Sequence, residues 1–155
     1  MKISKLLKNK GLTVSTAESC TGGLVSSMLT DISGSSEFIK INFVTYANEA
    51  KNKYLNVKWE TLEQFGAVSS ETAEEMANGL LKQSGCDVAL TTTGIAGPNG
   101  GSFEKPVGLV YIGVASKNRC VVKKYNALPF LPRTIIKFLF AKRALKLLQE
   151  FLEEN

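Results

Sequence analysis

Apolar residues recur along the chain with two periods, and the switches between them mark helices and strands. Residues 2–10 predict a short helix ended by Gly11, and Leu12 to Thr16 is β-branched enough for a strand leading into the polar turn Glu18 to Gly23. Leu24, Val25, Met28, Leu29 and Ile32 then fall at helical spacing, with Gly34 closing the segment. Ile41 to Tyr46 reads as a second strand and Asn48 to Leu55 as a helix, so Tyr46 and Lys51 straddle a strand-to-helix junction. A helix over Ser70 to Ser84 turns Ala73, Met76, Ala77, Leu80 and Leu81 inward, with Ser69 or Ser70 as cap and Glu71, Glu74 and Glu75 complementing its dipole. Asp87 to Thr93 is a strand opening into the glycine-rich run Gly94 to Gly101. Val107 to Ala115 and Cys120 to Tyr125 predict a hairpin about Asn118, and Arg133 to Phe151 one long amphipathic helix after Pro132.

Strands alternating with helices in this order predict a three-layer α/β/α fold with a mixed central sheet. The four prolines lie at 98, 106, 129 and 132, and no repeat or linker interrupts the chain, so residues 1–155 are expected to form a single domain. At this length roughly 70% of the unfolded chain's surface is buried on folding, enough for a core without staples.

Composition narrows the chemistry. There is no His among the 155 residues, which excludes Ser-His-Asp and Cys-His catalysis and most catalytic zinc sites. Cys20, Cys86 and Cys120 are odd in number and unpaired by spacing, as expected of free thiols in a reducing compartment. The basic N-terminus lacks the apolar run of a signal peptide, and no stretch is apolar enough to span a bilayer, so a cytoplasmic protein without a membrane partner is expected. The net charge of +5 is uneven: residues 117–155 hold 9 basic and 3 acidic groups. That segment suits an anionic ligand such as a phosphate; direct nucleic-acid binding is disfavoured because it lacks interleaved aromatics and a DNA-binding motif.

Three polar clusters follow predicted strand ends, at Glu18 to Gly23, Tyr46 to Lys51 and Thr93 to Gly101, and strand ends of open α/β sheets converge on the ligand crevice. A Ser on a glycine-flanked strand-to-helix turn presents its hydroxyl beside backbone N–H groups, as acyl transfer requires. Ser19 is one candidate nucleophile and the adjoining Cys20 another; a helix cap with a tight turn would use the same residues. Without His, a Lys must serve as base, with its pKa lowered from about 10.4 to roughly 7–8. Lys51 is the candidate, with Tyr46 one helical turn away offering a hydroxyl to relay a proton. The Tyr-x4-Lys spacing, and the lack of a Gly-x-Gly-x-x-Gly after the first strand, speak against a nicotinamide-dependent oxidoreductase.

Thr16-Ala17-Glu18-Ser19-Cys20-Thr21-Gly22-Gly23, Gly34-Ser35-Ser36, Val44 to Lys51, Gly66-Ala67-Val68-Ser69, Gly94-Ile95-Ala96-Gly97-Pro98 and Lys105-Pro106-Val107-Gly108 together resemble, in this order, the C-terminal domain of the competence/damage-inducible protein CinA. The domain is expected to stand alone, without the N-terminal molybdopterin-binding-like domain of longer members. The resemblance implies a nicotinamide-nucleotide amidohydrolase that converts nicotinamide mononucleotide (NMN) and water to nicotinate mononucleotide and ammonia, returning a by-product of NAD turnover, with no metal or organic cofactor. It implies Ser19 as nucleophile, Lys51 as base and Tyr46 as proton relay, with Ser36 and Thr93 lining the site, and it makes a homo-oligomer the expected assembly. From this we expect N–H groups near Thr21, Gly22 and Gly23 to hold the oxyanion, and the loop containing Gly94 and Gly97 together with Arg133 to hold the phosphate. Family members usually carry a second Arg four residues beyond the first, where this chain has Lys137, which lacks a bidentate fork. The alternative expectation is a non-catalytic nucleotide-binding or interaction protein linked to competence or the DNA damage response.

Overall fold

The computed structural model describes residues 2–154. Its elements run α1 (Lys2–Lys10), β1 (Val14–Glu18), α2 (Leu24–Thr30), a 3-10 turn (Ser35–Glu37), β2 (Ile39–Val44), α3 (Asn48–Leu55), α4 (Trp59–Phe65), α5 (Ser70–Ser84), β3 (Val88–Gly94), β4 (Leu109–Ser116), β5 (Arg119–Asn126) and α6 (Arg133–Glu153). The five strands form one mixed sheet in the order β2-β1-β3-β4-β5. β1 is parallel to both β2 and β3, whereas β3, β4 and β5 pair antiparallel. Helices cover both faces, as the alternating pattern predicted.

Strand alternation assigns the two faces. Val14, Leu90, Val110, Ile112 and Val114 join Leu7 of α1, Val25 and Leu29 of α2, and Ile136, Phe140 and Leu148 of α6 in one core. Ala17 and Ala89 point the other way, against Leu55 of α3, Leu62 of α4, and Met76 and Leu80 of α5. Small residues on this second face let α5 lie close: a Cβ on Gly113 would stand 2.9 Å from the Ala73 carbonyl oxygen.

Several boundaries differ from expectation. β1 starts two residues later than predicted and runs to Glu18, because the Leu12 N–H donates to Leu7 O at 2.9 Å and the Gly11 N–H to Lys8 O at 3.1 Å, so both belong to the end of α1. Helix α4 was not predicted. On α6, Ala141, Ala144 and Leu145 are buried, whereas Ile135 and Leu139 are partly exposed.

The helix that follows β1 packs on one face and those that follow β2 pack on the other, so the chain winds in opposite senses from the carboxyl end of β1. Such a switch point opens a crevice beyond the strand ends. Among the described residues, no helix is long and apolar enough to cross a membrane.

Candidate active site

Ser19 is the first residue beyond β1. Its N–H donates to Thr92 O at 3.0 Å, which pins it against β3. The chain then turns into α2 through Gly22 (φ 60°) and Gly23 (φ 99°), backbone conformations that favour glycine. The Glu18 side chain folds under this turn. It is 1% exposed, and its Oε2 accepts from the Thr21 hydroxyl (2.6 Å), Gly23 N–H (3.1 Å) and Val25 N–H (3.0 Å), while Oε1 accepts from Ser26 N–H (2.7 Å). A carboxylate buried within the chain therefore satisfies the first turn of α2.

Lys51 sits in the first turn of α3, which places it beside the end of β1, since the Thr45 N–H donates to Glu18 O at 2.8 Å. The residue is 1% exposed, and Nζ lies 3.0 Å from Ser19 Oγ, 2.9 Å from Thr45 O and 3.2 Å from Tyr46 O. Among the described residues no carboxylate pairs with it. Burial lowers its pKa from 10.5 to about 8. In the neutral amine, two N–H groups can serve the two carbonyls, leaving the lone pair to accept the Ser19 proton. Cys20 behaves oppositely: burial pushes its thiol from 9.0 up to about 12, so at neutral pH it stays protonated and is a poor nucleophile.

A cavity of about 270 Å³ opens above this pair, lined by Ser19, Cys20, Tyr46, Lys51, Thr93, Gly94, Gly97 and Arg133 among others, none of them acidic. Arg133, the first residue of α6, spans its mouth by donating from Nη1 to Gly97 O (2.6 Å) and from Nη2 to Tyr46 Oη (2.9 Å). Thr93 Oγ1 donates to Ala67 O at 2.6 Å and so holds the α4–α5 loop, whose Ala67 and Val68 form part of the cavity wall. Sequence reasoning missed those two as lining residues, although Gly66 to Ser69 stood out as a motif. It also missed the role of Glu18.

Three expectations are corrected. The hydroxyl of Tyr46 is not at the Ser19–Lys51 contact: it meets Arg133 at the mouth, and only the Tyr46 backbone carbonyl touches Lys51. The amides of Gly22 and Gly23 cannot hold an oxyanion, because they donate to Ser19 O (3.1 Å) and Glu18 Oε2; with Thr21 these residues line a neighbouring cleft beside Lys137. Cys20 is the residue of this turn beyond Ser19 that lines the cavity, and its N–H lies against its own thiol. Ser36 lies away from the cavity. Its neighbours Glu37 and Phe38 bond Lys8 and the Val14 N–H at the far end of β1, and at about 3.3 Å per strand residue that end is on the order of 15 Å from Ser19.

Comparison with known proteins agrees with this architecture. The family model described as the CinA C-terminal domain matches residues 1–152. A CinA-like protein of Syntrophomonas wolfei is 53% identical over 99% of the chain, and one of Chloroherpeton thalassium is 50% identical over 99%. The chain spans only 36% and 37% of those two relatives. Among solved structures, the competence/damage inducible protein CihA of Agrobacterium tumefaciens superposes with a TM-score of 0.91 at 43% identity, covering 99% of this chain and 96% of that one. A CinA superfamily protein of Klebsiella pneumoniae gives a TM-score of 0.94 at 29% identity, covering 99% and 95%. With sequence and fold matching over nearly its whole length, the chain belongs to the CinA C-terminal domain family.

Proposed function

We propose that the protein is a nicotinamide-nucleotide amidohydrolase, which hydrolyses the carboxamide of NMN to nicotinate mononucleotide and ammonia. The observation that carries this reading is the 3.0 Å contact between the buried, unpaired Lys51 amine and Ser19 Oγ at the foot of the cavity. A Ser/Lys pair of this kind performs acyl transfer without His.

Lys51, as the neutral amine, takes the Ser19 proton while Oγ attacks the carboxamide carbon. The oxygen that becomes negative is received by the backbone N–H of Cys20, which lines the cavity next to Ser19. Lys51 then returns its proton to the departing nitrogen, ammonia leaves, and an ester joins Ser19 to the nicotinate. Water, activated by the same amine, cleaves the ester and restores Ser19. Arg133 supplies the positive charge for the phosphate, and Tyr46 holds the guanidinium over the mouth.

The test is release of ammonia and nicotinate mononucleotide from NMN by the purified protein across pH 6–10. We expect kcat/KM to rise through about pH 8, where Lys51 loses its proton. Absence of turnover at every pH would refute the reading.

A further inference from the structure

We propose that Glu18 is the positioning residue of this site. Its buried carboxylate fixes the Ser19–Thr21 turn so that Ser19 Oγ faces Lys51. The inference rests on the Ser/Lys reading above and deepens it.

The hydrogen-bond directions carry the argument. A carboxylate only accepts, so the Thr21 hydroxyl donates to Glu18 Oε2 at 2.6 Å, and the Thr21 oxygen must in turn accept from the Thr92 hydroxyl at 2.7 Å. Thr92 also receives the Ser19 N–H on its carbonyl. Ser19 is thus held between two anchors on one residue of β3, one through its own amide and one through Thr21 and Glu18. The same carboxylate consumes the amides of Gly23, Val25 and Ser26. It thereby fixes the path of the chain from Ser19 into α2. Glu18 touches neither Ser19 Oγ nor Lys51 Nζ through its side chain, so its influence passes through the turn.

Glu18→Gln puts an amide NH₂ where one carboxylate oxygen accepted a backbone N–H, so the turn must shift. The readout is the rate at which Ser19 is phosphonylated by a fluorophosphonate, followed by intact mass at pH 6–10. This reaction needs the activated serine and its oxyanion donors but not NMN. We expect Glu18→Gln to slow labelling by about 100-fold, as a small misplacement of the reacting group does, with the pH midpoint of the wild type retained. Leu29→Ala, a cavity variant in the core face of α2, is expected to label within about threefold of the wild type despite its lower melting temperature. With NMN, the loss should fall on kcat rather than KM. Should Glu18→Gln not fold, Thr21→Val, which severs only the Glu18–Thr21–Thr92 link, should slow labelling by about tenfold. Labelling of Glu18→Gln at the wild-type rate, or equal slowing in Leu29→Ala, would overturn the proposal. If the wild type is labelled at Ser19 yet leaves NMN intact, the substrate reading fails, and Glu18 is still judged by the labelling rates.

Discussion

Replacing Lys51 with Met isolates the free energy of holding a base inside the protein. The substitution keeps length and apolar contact but removes the titrating group. In the unfolded chain Lys51 titrates near 10.5, and in the fold near 8. The folded state therefore disfavours the ammonium by about 3 kcal/mol, at 1.36 kcal/mol per pH unit. Between these two values the unfolded chain binds the extra proton, so wild-type stability rises with pH through the window; below about pH 8 the full penalty applies, and above about 10.5 it is gone. Lost hydrogen bonds to Thr45 O and Tyr46 O shift the variant by an amount that does not vary with pH, so the informative quantity is the change in the wild-type-minus-variant difference. Integrated from pH 7 to pH 10, that change is about 2.5 kcal/mol in favour of the wild type. Urea unfolding of both proteins at several pH values measures it, with all other titrating groups cancelling in the difference. A difference that stays flat would mean that Lys51 keeps an ordinary pKa, and it could not then act as the base.

Other substitutions probe the frame around the pair. A Cβ on Gly79 would stand 1.8 Å from the Leu55 carbonyl oxygen, so Gly79→Ala must push α3 away from α5; we expect a loss of about 3 kcal/mol or more in chemical unfolding and a fall in activity, because α3 carries Lys51. Cys20, with its thiol held up near 12, should resist iodoacetamide at pH 8 in the folded protein and react once urea unfolds it, as peptide mass mapping would show. Arg133→Lys keeps the charge but cannot bridge Gly97 O and Tyr46 Oη with one planar group; we expect KM for NMN to rise about tenfold with kcat little changed.

The sequence made the architecture readable because the strands are β-branched, the helices amphipathic and the glycines well placed. It misplaced β1 by two residues, since nothing local tells that Leu12 N–H stays with α1. That shift matters, because only a strand ending at Glu18 puts Ser19 directly at the crevice. Helix α4 escaped notice because it has just seven residues, with Trp59 and Phe65 at its ends partly exposed. Within the site, the absence of His pointed to Ser19 and Lys51, and the fold brings them together. The direction of the Tyr46 hydroxyl depends on Arg133, 87 residues away, and the fate of the Gly23 amide depends on a carboxylate five residues back in a strand. Neither follows from spacing. Ser36 belongs to a motif that serves the opposite end of the sheet.

The pairing of Ser19 with Lys51 is tested most directly by measuring ammonia release from NMN with the wild type beside Ser19→Ala, Lys51→Met and Cys20→Ala. We expect activity to vanish in the first two and persist in the third. Turnover surviving in Ser19→Ala or Lys51→Met, or lost only in Cys20→Ala, would contradict a serine nucleophile activated by a buried lysine.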